Sequence, residues 1–403
     1  MDYKELKTCR VCNSPRLHKY LDLGQVPLAN SLVTFGGSPK PIYPIQMMLC
    51  LDCALSQLSV VVDPKLMFTD YVYHSSVSKT FQKHCYDMAV SIRDEFKFQH
   101  PLVMDIASND GCLLDQFRLA GFDRLMGIEP AKNLTTTYLD RQFMVVNEFF
   151  SQKLVNLWDG GKVSVITATN VLAHVDNLYD FVGAIKYSLT DNGICVIEVP
   201  YFNNLLHNNQ YDTIYHEHLS YFLLNPLYKL FKLLELPIFR VEHHPIHGGS
   251  LRIYASKNAY EEELSVVRML QDETDDGLFE AQTYDMFSHE VNRNRERLHT
   301  LLELLHHSDK KVVGYGASAK GISLLNYSGI DNKWIQAIVD ETPEKQDKMT
   351  PGTNIPIVDF ESFNDIKPDY ILLLAWNFAE ELKSKTKHLK SNYITPIPVV
   401  MIT

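Results

Sequence analysis

The 403-residue sequence predicts an α/β protein built from a small N-terminal metal-binding module, a central Rossmann-like domain and a smaller C-terminal Rossmann-like domain. Three observations carry this. Two C-x2-C pairs, Cys9/Cys12 and Cys50/Cys53, lie near the start of the chain. From about residue 85, short apolar strands ending in an acid or an asparagine alternate with helical stretches, the pattern of a parallel sheet covered on both faces. The same alternation returns in the last 95 residues, after an amphipathic connector. The expected boundaries are 1–70 for the metal module, 71–256 for the central domain, 257–308 for the helical connector and 309–403 for the C-terminal domain.

Apolar residues make up 45% and charged residues 22%, an ordinary globular balance. With 49 acidic against 38 basic side chains the net charge is −11, which disfavours nucleic acid or an anionic membrane surface as main partner. No apolar run approaches the roughly 18 residues that a membrane span needs. The opening MDYKELKTCR carries charges where a signal peptide has its apolar core, so a cytoplasmic enzyme is expected. Its seven cysteines are then not expected to pair as disulfides. The domains are enough to bury their own cores, so a monomer or weak homo-oligomer is expected.

A C-x2-C turn aims two thiolates at one point, and a second turn completes the closed tetrahedron that Zn2+ favours in structural sites. Cys9, Cys12, Cys50 and Cys53 are therefore expected to hold structural Zn2+, with a redox dithiol or plain core cysteines as alternatives. The 37 residues between the pairs must form a loop or small sheet. Cys85, Cys112 and Cys195 read as buried core thiols.

In the central domain, Leu102-Val-Met-Asp105-Ile is a buried strand leading into the tight turn Ser108-Asn109-Asp110-Gly111 and a helix. Residues 124–129 form a second strand closing on Glu129, and 143–146, 163–168 and 193–199 supply three more. Asn225-Pro226 opens a helix, and 238–241 with 251–255 make an antiparallel pair through His247-Gly248-Gly249. Five parallel strands plus a terminal hairpin is the strand count of an S-adenosylmethionine (SAM) methyltransferase sheet. Asp105 and the 108–111 turn sit at the carboxyl edge of the sheet, where doubly wound folds bind ligands. Glu129, about 20 residues further on, can grip ribose hydroxyls, an arrangement that also serves NAD. No phosphate-cradling glycines surround this turn, however, and two acids would repel a pyrophosphate. A ligand with a ribose and an ammonium but no phosphate suits it better. Asn147, after strand three, is placed to meet an adenine, and Asn170, after strand four, to meet the methionine part.

The segment Tyr211-Asp-Thr-Ile-Tyr215-His216-Glu217-His218-Leu-Ser-Tyr221 concentrates ionisable groups, and His174 follows strand four. Histidine titrates near neutrality and can take a carbon-bound proton. Tyrosine can donate to a forming enolate oxygen. A metal site through His216, Glu217 and His218 is disfavoured, because adjacent residues do not face one way. Satisfied surface histidines are the remaining alternative.

Leu298, Leu301, Leu302 and Leu305 recur at helical spacing and predict a packing helix over 285–308. Gly314-Tyr-Gly316-Ala-Ser-Ala-Lys320 then opens a strand–turn–helix, and a second strand ends at Asp340. This meets the dinucleotide fingerprint except that Ala319 stands at the third glycine. Further strands at 355–358 and 369–374 complete a half-size sheet. Lys320 sets a cation beside whatever the turn holds, which suits the pyrophosphate of a nucleotide sugar. A ligand-free relic and an NAD site are the alternatives. Arg252, Tyr254 and Asn377 are expected to help line the cleft.

Taken in order, these residues resemble the SAM-dependent C-methyltransferases that act on nucleotide-linked 4-keto-deoxysugars. The resemblance spans nearly the whole chain. It includes both cysteine pairs, Tyr71-Val-Tyr73-His-Ser75-Ser76, Ser108-Asn109-Asp110-Gly111, Asn170…His174, Tyr215-His-Glu217-His218, His247-Gly248-Gly249-Ser250-Leu-Arg252, Gly314-Tyr-Gly316…Lys320, Lys345-Gln346 and Trp376-Asn377-Phe378. It departs at Ala107 and Asp347, where many members carry glycine. The resemblance implies a structural zinc, and SAM (leaving as S-adenosylhomocysteine) near Asp105, Ser108, Asn109, Asp110, Gly111, Glu129, Asn147 and Asn170. It implies methylation at C3 of a 4-keto-6-deoxyhexose carried on a nucleoside diphosphate. His218 is the implied base, with His174 its alternate. Tyr215 and Glu217 lie close by, and Tyr73 is a lid residue. His247, Gly249, Arg252, Gly316, Lys320 and Asn377 are the implied sugar-nucleotide contacts. An O-methyltransferase and an NAD-dependent oxidoreductase are the rival readings.

Overall fold

The computed structural model describes residues 2–68, 74–135, 141, 143–158, 160–257 and 260–403, without the side chain of residue 247. The expectations for Tyr73 and for the His247 side chain therefore lie outside what is described.

The central sheet has seven strands in the order Ile238–His244, Ser250–Ser256, Leu189–Pro200, Val163–Thr169, Leu102–Ile106, Arg124–Ile128, Met144–Val146. The last five run parallel, and the first two form the expected antiparallel hairpin. Alternation along the strands separates two cores. Val103, Val165 and Val196 face the helices Lys79–Phe96 and Cys112–Leu119, whereas Met104, Ile166 and Ile197 face Leu178–Ser188 and Leu224–Leu233. Lys79–Phe96 buries Phe81, Cys85, Met88, Ala89 and Ile92 on one stripe, and Ser78 Oγ caps its start by accepting from Phe81 N.

The 37 residues between the cysteine pairs contain strands Leu17–Pro27 and Ile42–Cys50, which pair with each other. Ser56–Leu58 extends this sheet, and its last strand is Ser220–Tyr221 from the central domain. The C-terminal sheet is larger than expected, with eight strands. Its parallel centre is Pro356–Val358, Ile338–Val339, Val312–Tyr315, Tyr370–Leu373 and Asn392–Thr395. One edge strand, Val33–Thr34, comes from the N-terminal module. The three parts thus exchange strands, which a division into consecutive blocks did not anticipate. Two-residue strands have no sequence signature of their own.

The connector contains the helices Leu264–Asp275 and Ala281–His307. The second buries Tyr284, Phe287, Val291, Leu298, Leu302 and Leu305 at spacings of three, four or seven, as its heptad-like leucines require. Among the described residues no helix is long and apolar enough to cross a membrane.

Candidate active site

A cavity of about 740 Å³ opens where the three parts meet, in the upper range for ligand sites. Asp105, Ser108, Asn109, Glu129 and Asn170 line one end; His174, Tyr215, Glu217 and His218 the middle; Gly316, Lys320 and Asn377 the other.

At the first end the chain turns sharply after Leu102–Ile106, with Ala107, Asn109 and Gly111 all at positive φ (56°, 51° and 81°). Glu129 accepts from Asn109 N and Ala131 N, both at 2.8 Å. Asp105 accepts from Thr167 Oγ1 at 2.7 Å. Burial, with Glu129 as a neighbour, pushes its pKa up to about 7, and burial raises that of Glu129 too. A cation or a diol relieves such a pair. Asn170 is at φ 56°, and its buried Oδ1 has no hydrogen-bond partner. An unsatisfied buried acceptor suits an ammonium donor. This acid-lined end with its free acceptor fits SAM.

The left-handed turn makes Ala107 informative, because an L-residue there is disfavoured by about 1–2 kcal/mol and glycine loses about 0.5–1 kcal/mol of that in entropy. Ala107→Gly is expected to stabilise the protein by up to ~1 kcal/mol in denaturant unfolding. Asp347, at φ 58°, should gain less on replacement by glycine, because Asp tolerates this region better. Destabilisation by Ala107→Gly would contradict the turn geometry.

Two residues of this group stand behind the cavity wall. Asp110 Oδ2 accepts from Ser76 N (3.1 Å) and Ser76 Oγ (2.5 Å), tying the segment before Lys79–Phe96 to the turn. Gly111 is the N-cap of Cys112–Leu119. Asn147 is also off the wall: its Nδ2 donates to the carbonyls of Glu129 (2.7 Å) and Pro130 (3.1 Å).

In the middle, His218 Nδ1 lies 2.8 Å from Thr213 O. A carbonyl only accepts, so Nδ1 carries the hydrogen and Nε2 is the unprotonated nitrogen, able to accept. The Tyr215 hydroxyl is 3.1 Å from that Nε2. The His174 ring lies edge-on at 4.9 Å between centroids. Glu217 Oε1 accepts from Asn30 Nδ2 at 2.6 Å. His216 points the other way, donating from Nε2 to Tyr43 O at 3.2 Å. His216 thus stands apart from Glu217 and His218, which both line the cavity. The four cysteines are the only metal-type cluster among the described residues.

Burial lowers the pKa of His174 and of His216 to about 4, and burial with His174 and Lys320 nearby holds His218 well below 6.5. The sign follows from linkage. Below pH ~6.5 the unfolded chain protonates His174 and His216 while the folded chain does not until about pH 4. Stability is therefore expected to fall with pH across that window, by about 1.4 kcal/mol per pH unit for each histidine. His216→Gln should remove one proton from the uptake on unfolding at pH 5, measured by denaturant titration against pH.

At the far end, Gly316 has φ 90°, and a Cβ there would meet Ala375 Cβ at 2.8 Å. Ser318 caps the helix Ala319–Ser328 by accepting from Gly321 N at 3.1 Å. Lys320 Nζ lies over the Trp376 ring at 5.6 Å. Asp340, the fingerprint's acid, is already engaged. It accepts from Ala317 N (2.7 Å), Thr342 N (2.9 Å) and Lys345 Nζ (3.3 Å). Gly249 lines the cavity, but Arg252 does not. Its register opposite Glu198 places it in a buried ion pair (3.0 Å) with His84 alongside. Tyr254 likewise packs into the core under Lys79–Phe96. Asn30 and the Thr213 carbonyl are site elements that no motif announced, and Lys345 belongs to a motif to which no role was assigned.

Cys9 and Cys53 Sγ are 3.5 Å apart, as are Cys12 and Cys50, and all four sulfurs lie within 4.8 Å of one another. Zn–S bonds of about 2.3 Å require tetrahedral S···S separations near 3.8 Å, so the set fits Zn2+. Val11 N and Cys12 N both donate to Cys9 Sγ, supporting a thiolate there.

Residues 9–68 match the model of a zinc binding domain, 85–237 that of a methyltransferase domain, and 245–398 that of a C-methyltransferase C-terminal domain. The chain is 32% identical over 407 aligned residues to the C-methyltransferase NovU of Streptomyces niveus, spanning 98% of this chain and 96% of that one. Among solved structures it is similar to a SAM-dependent methyltransferase from Clostridium acetobutylicum ATCC 824 (12% identity, 43% of this chain and 91% of that chain, TM-score 0.36). It is also similar to magnesium protoporphyrin IX methyltransferase from Synechocystis PCC 6803 with bound SAM (12% identity, 43% and 78% covered, TM-score 0.33). The cysteine cluster within residues 9–68 is a structural zinc site. Sharing almost its full length with a C-methyltransferase, and carrying the three matched regions in order, the chain belongs to the C-methyltransferase family and is a SAM-dependent C-methyltransferase.

Proposed function

We propose that the methyl acceptor is C3 of a nucleoside-diphosphate-linked 4-keto-6-deoxyhexose, and that the product is a branched-chain sugar. When bound, SAM supplies an electrophilic methyl group. The chain must then turn a carbon into a nucleophile beside it and keep water out. The observation that carries the reading is His218. Its tautomer is locked by Thr213 O, and its unprotonated Nε2 faces the Tyr215 hydroxyl in the same cavity as the acid-lined turn.

A ketone at C4 acidifies the proton at C3. His218 Nε2 removes that proton, and the Tyr215 hydroxyl, released from Nε2, donates to the C4 oxygen as the enolate forms. The buried imidazole is neutral at pH 7, and the anion forming beside it offsets the cost of charging it. Glu217, held by Asn30, and His174 orient the sugar. Glu129 holds ribose hydroxyls and Asn170 Oδ1 an ammonium. Lys320, at the start of Ala319–Ser328, faces the diphosphate. A nucleotide-linked substrate of this kind would be met in the cytoplasm. Glu129 and Asp340 each accept two backbone amides, but only Asp340 also carries a lysine ammonium, Lys345, and this argues against an NAD ribose at the C-terminal turn.

The test is incubation with SAM and dTDP-, GDP- or CDP-linked 4-keto-6-deoxyhexoses, beside the same sugars reduced at C4, with carbon NMR of the products. A new carbon-bound methyl with a ketosugar and none with its reduced partner is expected. Methyl on oxygen, or methylation of the reduced sugar, would sink the reading in favour of O-methyl transfer.

A further inference from the structure

We infer that Arg10, inside the first cysteine turn, is the positioning residue that sets the spacing of His174 and His218, making the zinc turn a working part of the active site. This rests on His218 being the base.

The two histidines sit on slight supports. His174 ends a three-residue 3-10 helix, Leu172–His174, and His218 precedes the two-residue strand Ser220–Tyr221. The Arg10 side chain, only 4% exposed, reaches both. Nη2 donates to the carbonyls of Val175 and Asp176, immediately after His174. Nη1 donates to Ser220 Oγ at 2.9 Å, two residues after His218. Leu219 N donates to Ala173 O at 2.8 Å, joining the two segments directly. The Arg10 backbone is fixed in turn, because its N donates to Gln57 Oε1 at 2.9 Å and Cys9 and Cys12 flank it. A planar fork can serve two carbonyls and a hydroxyl at once, whereas an ammonium is a single point donor. Buried carbonyls left without a donor would draw their segment away. With the thiolates on a metal the turn is rigid, and so is the fork it carries.

The test uses full-length, zinc-loaded Arg10→Gln, Arg10→Lys, Ser220→Ala and His218→Ala. Zinc content, SAM affinity by calorimetry, backbone hydrogen exchange and kcat and KM against pH are measured for each. The groups facing His218 are His174, Tyr215, Tyr221 and Lys320, and none of them is altered in the Arg10 and Ser220 variants. Arg10→Gln is expected to keep its zinc and its SAM affinity within about twofold while kcat falls about 10²-fold, the scale of a 1 Å misplacement, with KM little changed. Exchange should quicken over 172–177 and 214–221. The acid limb of kcat should move up by about one pH unit, as a displaced His218 regains water. Arg10→Lys should recover part of kcat, and Ser220→Ala should shift the limb in the same direction by less. A purely structural lesion would lower activity with the lost folded or zinc-loaded fraction and leave the pH profile in place, and that result would overturn the inference. So would wild-type kcat in Arg10→Gln. If His218→Ala keeps its activity, the base assignment has failed instead.

Discussion

His218→Ala should lose methyl transfer by about 10²–10⁴-fold, the range that one positioned general base contributes, while SAM binds as before. The separation is geometric. His218 lies between Thr213 O and Tyr215, whereas the end proposed to hold SAM is lined by Asp105, Asn109, Glu129 and Asn170. Substrate KM should change little, because in the proposed reaction the imidazole acts on one proton and does not hold the diphosphate. His174→Ala tests the alternate assignment. Its Nδ1 is buried without a hydrogen-bond partner, backbone groups of Asn170 and Glu217 support the ring, and among the described residues no tyrosine hydroxyl is seen against it as Tyr215 is against His218. We expect a smaller loss, about tenfold, from a ring that packs against the base. Steady-state kinetics with both variants decides between them. An active His218→Ala beside an inactive His174→Ala would exchange their roles.

Removal of zinc should have the largest effect on folding. Structural zinc contributes roughly 10–16 kcal/mol of apparent binding free energy in small peptides at neutral pH, more than the ~5–15 kcal/mol that separates most folded domains from unfolded ones. The consequence here is not local. The N-terminal sheet takes its last strand from Ser220–Tyr221, and Val33–Thr34 completes the edge of the C-terminal sheet. Loosening the cysteine cluster therefore loosens two cavity walls, including Asn30 on Glu217. Cys50→Ser, or chelation in mild denaturant, should release the metal, expose residues 9–68 to proteolysis and remove activity together. Metal content by atomic absorption, digestion patterns and turnover measured on the same samples check this. A zinc-free chain that stays protease-resistant and active would contradict a structural role.

Much of this was legible in the sequence, for definable reasons. The cysteine pairs are short-range spacings that imply their own geometry. The parallel sheet was readable because each strand is a short apolar run with a polar residue at its carboxyl end, where Asp105, Glu129 and Asn170 lie. His216 faces away from its neighbours through a turn and not through strand alternation, since Tyr215, Glu217 and His218 all line the cavity. What escaped depends on register and closure. Arg252 follows a glycine pair beside the site, but strand pairing sets it opposite Glu198 rather than on the cavity wall. Asn147 ends the right strand, yet its amide is used by the carbonyls of Glu129 and Pro130. Asn30 and Arg10 act 187 and 165 residues away along the chain, and no local pattern marks such contacts. Asp340 has the fingerprint's position but not its freedom, because Lys345 and two backbone amides occupy it.

In the proposed reaction this cavity makes a carbon nucleophile by removing a proton before methyl transfer. The most direct test is solvent deuterium entry into C3 of a dTDP-4-keto-6-deoxyhexose in heavy water with SAM omitted, followed by mass spectrometry for the wild type and His218→Ala. One deuterium at C3 is expected with the wild type, and exchange at the uncatalysed rate with the variant. Methyl transfer to carbon without any wild-type exchange, or equal exchange in the variant, would contradict it.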